Sequence, residues 1–208
     1  MTLNLFSNDD DWQAVDMPDA NVRLLSAFDC GQVPDTLMAT LLAETAWRQD
    51  PIWIHGREVM QPRLHVWVGD PEASYTYSGL RLQPAPWTPL LQDLRARIEA
   101  VCDARFNSVL LNLYRDERDS MGMHADDEPE LGPQPAIASL SLGQERTLVF
   151  KHRHRPDLKP VRIPLPSGSL LLMAGATQAH WKHGIAKQTR PLAPRLNLTF
   201  RWIDHSPR

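Results

Sequence analysis

Residues 195–202 read RLNLTFRW, and this strict alternation of polar and apolar side chains is typical of a β-strand with one face against a core. Successive side chains of a strand point to opposite faces. The polar face therefore carries Arg195, Asn197, Thr199 and Arg201. Alternation alone leaves two possibilities for this face, because a half-buried strand turns its polar residues either to solvent or into a ligand cavity.

Five further short runs of strand-forming residues follow residue 106, separated by proline and glycine. They are SVLLNLY (108–114), IASLSLG (137–143), RTLVFKH (146–152), VRIPLP (161–166) and SLLLMAG (169–175). Many short strands at close spacing predict an antiparallel sandwich or jelly roll. We therefore expect a mainly β fold with flanking helices, of the α+β class.

Two helices are predicted before these strands. Apolar residues at helical spacing follow Asp35, which we take as the N-cap, and they continue to about Trp47. A second apolar stripe begins after Thr88 and Pro89, a capping residue followed by a good first helical residue. We expect residues 34–208 to form one domain, with residues 1–33 as an N-terminal extension packed on it.

The composition narrows the class of protein. Hydrophobic residues make up 42% of the 208 residues, which suits one packed domain. A net charge of −3 provides no overall basic field, so a nucleic-acid partner would need a local patch. Cys30 and Cys102 form no metal or redox motif, and no stretch suits a membrane span or an export signal. We expect a cytoplasmic monomer with no membrane partner.

The segment MGMHADDEPE (121–130) places His124 two residues before Asp126, so both side chains point the same way in an extended chain. HWKHG offers His180 and His183 as a further ligand, and their odd spacing allows only one of them to face the same pocket. Two histidines and a carboxylate are typical of non-haem Fe(II) oxygenases. A zinc hydrolase with the same ligands remains the alternative.

Asn112 and Tyr114 lie on one face of their strand, as the two arginines do on the 195–202 strand. Arginine binds carboxylates through planar, often bidentate contacts. Two arginines, a tyrosine and an amide in one pocket would suit a small dicarboxylate. An anionic co-substrate favours the iron oxygenase over the zinc hydrolase.

These residues resemble the AlkB family of Fe(II)- and 2-oxoglutarate-dependent dioxygenases. The resemblance covers roughly residues 48–203 and rests on NLYRD, MHADDE, IASLSLG, LPSGSLLLMAG, HWKHGI and APRLNLTFRW, in this order. It implies a double-stranded β-helix that removes methyl groups from 1-methyladenine and 3-methylcytosine in alkylated DNA. Dioxygen and 2-oxoglutarate are consumed, and formaldehyde and succinate are released. RNA or a substrate other than a nucleic acid is the alternative within the family.

The resemblance also assigns roles to individual residues. It makes His124, Asp126 and His183 the catalytic iron ligands, with His183 chosen over His180 because Gly184 follows it. The residues assigned to 2-oxoglutarate are Asn112, Tyr114, Arg195, Asn197 and Arg201. The residues assigned to the substrate base are Tyr75, Tyr77, Glu128 and Arg63, with base-recognition hairpins at about 50–80. Arg195 would hold the distal carboxylate of 2-oxoglutarate, and Arg201 would lie near its chelating end.

Positive charge is concentrated in KHRHRPDLKPVR (151–162), together with Lys182, Lys187 and Arg190. A charged run is usually a solvated surface, but phosphate binding needs such clusters. We predict that this patch contacts the nucleic-acid backbone.

Overall fold

A computed structural model describes residues 12–54, 56–73, 75–77 and 80–204, without the side chains of residues 53–54, 75–77 and 80–82. Two antiparallel β-sheets form its centre. The larger sheet has seven strands, in the spatial order β1 (Gln13–Ala14), β2 (Asn21–Leu25), β13 (Ser169–Ala174), β10 (Ile137–Gly143), β15 (Arg195–Arg201), β8 (Ser108–Tyr114) and β5 (Leu64–Gly69). The strands predicted at 108–114, 137–143, 169–175 and 195–202 are confirmed.

The smaller sheet has four strands and packs against the larger one. Its spatial order is β12 (Val161–Leu165), β11 (Arg146–His152), β14 (Trp181–Ile185) and β9 (Met121–His124). Ile137 and Leu171 of the larger sheet share one buried cluster with Phe150 and Ile185 of the smaller sheet. This is the predicted jelly roll, in which two sheets enclose a common interior.

Helices α1 (Pro34–Glu44) and α2 (Pro89–Cys102) cover the outer face of the larger sheet. Leu37 and Leu94 share a second buried cluster with Leu111 and Leu198 of the sheet. A four-residue helix α3 (Thr177–His180) precedes β14. Within the described residues, no helix has the length and hydrophobicity needed to cross a bilayer.

The start of α2 confirms its prediction, whereas the start of α1 corrects one. Thr88 caps α2, and its Oγ1 accepts a hydrogen bond from the Leu91 amide at 3.3 Å. The prediction of Asp35 as the N-cap of α1 is wrong, because Val33 holds that position and Asp35 lies in the first turn. Pro34 begins the helix since its restricted φ suits the first helical residue and it lacks an amide that needs a partner.

Residues 12–33 contribute to the larger sheet. The strand β2 pairs with β13, placing Leu25 opposite Leu170 and Val22 opposite Met173. Val22 and Leu25 are buried. Residues 21–25 were expected to belong to an extension packed on the domain, but they form a strand of the domain's own sheet. Five residues are too few for their alternation to indicate this strand.

The region 50–80 contains two hairpins, β3 (Pro51–Ile54) with β4 (Arg57–Met60), and β6 (Tyr75–Tyr77) with β7 (Leu80–Leu82). The backbone thus has hairpins where base recognition was predicted. The side chains of Tyr75 and Tyr77 lie outside the described part of the chain, so their role stays a prediction.

Candidate active site

The polar faces of β8 and β15 point into the interior between the two sheets. Arg195 lies opposite Tyr114, and Asn197 lies opposite Asn112, in the antiparallel register. All four side chains are buried, as is Thr199. The solvent-facing possibility is therefore excluded, because α1 and α2 already cover the apolar face of these strands.

His124, Asp126 and His183 lie together at one end of this interior. His124 ends β9 and His183 lies opposite it on β14, so their rings are adjacent, with centroids 4.4 Å apart. Asp126 follows β9, and its Oδ2 lies 3.6 Å from His183 Nε2 while its Oδ1 lies 3.9 Å from His124 Nε2. One ligand atom from each residue lies within 4.8 Å of the others, a spacing that one metal ion can bridge.

The protonation states of the two histidines suit metal binding. The Nδ1 of His124 lies 2.9 Å from the Gly122 carbonyl oxygen and donates to it, so in the neutral ring the lone pair is on Nε2. Burial, and then the positive charge of His124 when protonated, lower the pKa of His183 to about 4. A neutral imidazole is the form that coordinates a metal.

A second cluster, of Asp19, His152 and His180, differs from the first in its tautomer. The backbone amides of His154 and Arg155 donate to His152 Nδ1 at 3.1 and 3.0 Å, so the ring proton is on Nε2. This Nε2 lies 3.5 Å from Asp19 Oδ2 and makes no hydrogen bond to a described residue. Because it carries the ring proton, it has no lone pair for a metal ion. Only one of the two histidines of HWKHG thus lies in the triad, as their odd spacing predicted, and His180 lies in the second cluster.

Asp126 is held as a carboxylate by its surroundings. Arg201 Nη2 donates to Asp126 Oδ1 at 2.6 Å, and the Asp126 amide donates to Gln178 Oε1. Burial opposes ionisation, but Arg201 and the two histidines outweigh it and lower the pKa of Asp126. Asp126 Oδ2 is buried and has no hydrogen-bond partner among the described residues, so it is available as a metal ligand.

Arg195 presents unsatisfied hydrogen-bond donors at the other end of the interior. The residue is 2% exposed, and its Nη2 donates to Ser141 Oγ at 2.9 Å. Its Nε and Nη1 are buried without a partner among the described residues. A buried guanidinium that is unpaired is costly, and a carboxylate would satisfy both free donors at once. The arrangement therefore fits the distal carboxylate of a dicarboxylate.

A cavity of about 40 Å³ joins the two ends, and its lining includes His124, Asp126, His183, Arg195, Asn112, Tyr114, Asn197, Thr199 and Arg201. Every residue assigned to iron or 2-oxoglutarate thus lies around one space. Asn197 lines it, but its Nδ2 already donates to Ser139 Oγ and the Leu140 carbonyl oxygen. These bonds tie Asn197 to the neighbouring strand β10, so they stabilise the wall of the cavity.

Two residues of the site were missed in the sequence. Ser141 binds Arg195, and Gln178 binds the Asp126 amide. The alternation within IASLSLG places Ser141 on a polar face and was a usable signal for it. Gln178 lies in α3 and had no such signal, since a four-residue helix has no readable periodicity.

The sequence matches the 2OG-Fe(II) oxygenase superfamily over residues 24–201. It is 42% identical over 197 residues to the human protein named alpha-ketoglutarate-dependent dioxygenase alkB homolog 3, a match that covers 91% of this chain and 68% of that protein. The chain belongs to the AlkB family.

Other AlkB relatives agree with this membership. The mouse alkB homolog 3 is 42% identical, with 84% of this chain and 63% of that protein covered. Human DNA oxidative demethylase ALKBH2 is 42% identical, with 73% of this chain and 60% of that protein covered. The chain thus spans about three fifths to two thirds of the length of these relatives. A solved structure titled "The structure of OsALKBH1" superposes with a TM-score of 0.63 at 17% identity, covering 92% of this chain and 99% of that chain, and supports the fold.

The AlkB family uses Fe(II) and 2-oxoglutarate, and the described residues fit both. The histidine and carboxylate donors suit Fe(II) with open coordination positions. The free Arg195 donors suit the co-substrate's second carboxylate. The zinc hydrolase alternative is excluded by family membership, and it would leave the Nε and Nη1 of Arg195 without a partner.

A second cavity of about 540 Å³ adjoins the first, with Arg201 lining both. Arg63 and Glu128, both predicted to contact the substrate base, are among its lining residues. Arg63 Nε also donates to Asn112 Oδ1 at 2.9 Å, which connects the wall of the large cavity to the co-substrate side. The volume of this second cavity lies in the usual range for small-molecule pockets.

Proposed function

We propose that this protein oxidatively demethylates N-alkylated bases in DNA, with 1-methyladenine and 3-methylcytosine as substrates. The observation that carries the proposal is the buried triad of His124, Asp126 and His183 beside the unpaired guanidinium of Arg195, around one cavity. The names of the ALKBH2 relatives, DNA oxidative demethylases, support DNA as the substrate.

Iron, when bound by the triad, would supply the oxidation that converts the N-methyl base, 2-oxoglutarate and dioxygen into an N-hydroxymethyl base, succinate and carbon dioxide. The N-hydroxymethyl base would then release formaldehyde and leave the unmethylated base. Protein side chains orient the reactants. Arg195 binds the distal carboxylate of the co-substrate beside Tyr114. Arg201 donates to Asp126 at 2.6 Å and stabilises its carboxylate form. The bond from His124 Nδ1 to Gly122 orients the ring and, when the ring is neutral, leaves the Nε2 lone pair for the metal.

The charge of the large cavity supports a cationic base as its occupant. Arg48 and Arg201 are each paired with an aspartate, at 2.9 and 2.6 Å. Glu128 and Glu130 line the cavity without an ion pair to any described residue, as does one cation, Arg63. The lining therefore keeps an excess of negative charge. Adenine methylated at N1 and cytosine methylated at N3 carry a positive charge, which these carboxylates would attract.

Lys151 and Lys182 are our proposed phosphate contacts. They are exposed and lie directly opposite each other on β11 and β14, a position where like charges repel. An anion between them would relieve this repulsion. Arg153, which belongs to the same basic run, instead donates to Asp127 Oδ2 at 2.6 Å.

Replacing both Lys151 and Lys182 with alanine is expected to weaken binding of single-stranded oligonucleotides whatever their sequence. The slope of log affinity against log salt should become shallower by about 0.7 for each phosphate that the protein no longer neutralises. Fluorescence anisotropy at several salt concentrations measures both. Replacing Arg97 and Arg105, on the helix side, removes the same charge and should leave the slope unchanged; an equal change in both variants would exclude a phosphate site at the lysines.

Mass spectrometry tests the function directly. Oligonucleotides with 1-methyladenine or 3-methylcytosine, as single-stranded DNA, duplex DNA and RNA, are incubated with the protein, Fe(II), 2-oxoglutarate and air. We expect a loss of about 14 mass units per repaired base in DNA, with one succinate formed for each. Succinate formed without repair of any oligonucleotide would exclude nucleic acid as the substrate.

The location and assembly of the protein are also proposals. Cys30 and Cys102 are both free and buried, and burial raises the pKa of their thiols to about 11 and about 12. Reduced thiols are typical of the cytoplasm. We therefore take the protein to be cytoplasmic. We also take it to be a monomer, since one chain supplies all three ligands of the triad.

A further inference from the structure

Arg146 at the start of β11 is a second buried guanidinium beside the co-substrate end of the cavity. It is 4% exposed, and it donates to the carbonyl oxygens of Asp116, Asp119 and Ala186 at 3.3, 3.0 and 2.6 Å. Its Nε has no partner among the described residues. All of its described hydrogen bonds thus go to neutral acceptors.

The carboxylates nearest to Arg146 are already paired elsewhere. Asp119 accepts two hydrogen bonds from the Arg115 guanidinium, at 2.8 and 2.9 Å, and Asp116 accepts from Arg118. No carboxylate of the described residues forms an ion pair with Arg146. Asp119 and Asp116 therefore act on Arg146 only from beyond ion-pair distance, and its charge is incompletely compensated.

Tyr114 links Arg146 to the cavity. The guanidinium carbons of Arg146 and Arg195 lie 5.8 and 5.1 Å from the centroid of its ring, within the range of a cation–π interaction. Arg146 is not among the described residues that line the cavity, whereas Tyr114 and Arg195 are. Burial lowers the pKa of Arg195, and the positive charge of Arg146 lowers it further.

We propose that Arg146 is a positioning residue for the co-substrate, which fixes the Tyr114 ring and adds a second positive charge at the end of the cavity that receives the distal carboxylate. The inference rests on the proposed role of Arg195 and extends it to a residue that does not touch the ligand. The two guanidinium groups repel each other in the empty pocket, and a carboxylate bound beside them replaces this repulsion with attraction. The pocket should therefore prefer a ligand that carries a second carboxylate over one that does not.

The test compares two ligands that differ only at that end. 2-Oxobutyrate has the same chelating 2-oxo acid group as 2-oxoglutarate but lacks the distal carboxylate. Calorimetry on the full chain, with Mn(II) in place of Fe(II) and without oxygen, measures the Kd of each. We expect Arg146→Met to raise the Kd of 2-oxoglutarate by about tenfold, the effect of one charge at such a distance in a protein. The Kd of 2-oxobutyrate should change less than about twofold.

Two further variants separate charge from support of the fold. Arg146→Gln keeps an amide that can donate to the carbonyl oxygens but has no charge. It should weaken 2-oxoglutarate binding as much as Arg146→Met does. It also provides the test if the Arg146→Met variant does not fold. Arg146→Lys retains the charge but loses the planar guanidinium that contacts Tyr114 and the three carbonyl groups, so its Kd for 2-oxoglutarate should lie between those of the wild type and Arg146→Met. Arg97→Met, on α2, controls for the loss of a surface arginine.

Each outcome decides between the roles. Equal weakening of both ligands would mean that Arg146 only clamps the three carbonyl groups, and no change in either would mean that its charge does not reach the ligand; both results overturn the proposal. If the wild-type protein binds neither ligand, the proposed function itself fails, which is a different result from a wild type that binds and variants that match it.

Discussion

Replacing His183 with alanine is expected to abolish succinate formation and to weaken metal binding by more than about 100-fold, which exceeds the loss usual when only a group supporting a ligand is removed. His183 is buried, neutral and 3.6 Å from Asp126, so it is placed as one of three ligands. Its loss leaves His124 and Asp126 alone. Metal affinity by calorimetry with Mn(II), and succinate by mass spectrometry, measure the two effects.

The matched control for this change is His180→Ala, three residues earlier on the same segment. His180 lies in the cluster with Asp19 and His152, where the tautomer of His152 prevents coordination through Nε2. We expect this variant to retain metal binding and turnover within about twofold, as for an ordinary surface substitution. If His180→Ala abolishes activity and His183→Ala does not, the ligand set is wrong.

Replacing Arg195 with methionine is expected to have opposite effects on binding and on stability. Binding of 2-oxoglutarate should weaken by at least about 100-fold, because truncating one partner of a buried charge pair costs several kcal/mol. The ligand-free protein should become more stable by about 1–2 kcal/mol, because an apolar side chain of similar length removes a buried charge whose Nε and Nη1 are unpaired. Urea unfolding without ligand measures this free energy.

This pair of effects distinguishes a binding residue from a structural one. A structural arginine would destabilise the ligand-free protein on removal, as loss of its bond to Ser141 alone would do. Arg97→Met removes an arginine from α2 and should change neither quantity by much. Lower stability together with unchanged 2-oxoglutarate affinity would contradict the role of Arg195.

The alternation in β8 and β15 identified the right residues but not their environment. It placed Asn112, Tyr114 and Arg195 on common faces, which the structure confirms. Whether those faces met solvent or a cavity depended on which side the helices covered. Leu37 of α1 and Leu94 of α2 pack on the apolar side, and this choice belongs to the assembled core.

The two histidines of HWKHG show a similar limit. Odd spacing excluded that both enter the pocket, but it could not say which one does. The register of β14 against β9 decides it by placing His183 opposite His124. Register is set by the pairing of strands that are distant in sequence, so it is not readable from the local pattern.

By itself, the sequence determined six of the strands after residue 106, the two long helices and the kinds of side chain available for iron and a dicarboxylate, because periodicity and residue chemistry are local properties. Only the tertiary structure decided that Arg146 lies over the Tyr114 ring and that Asp116 and Asp119 are paired with other arginines. Arg146 is an ordinary strand residue in the sequence, since the charge around a buried group is the sum over neighbours that folding brings together from distant segments.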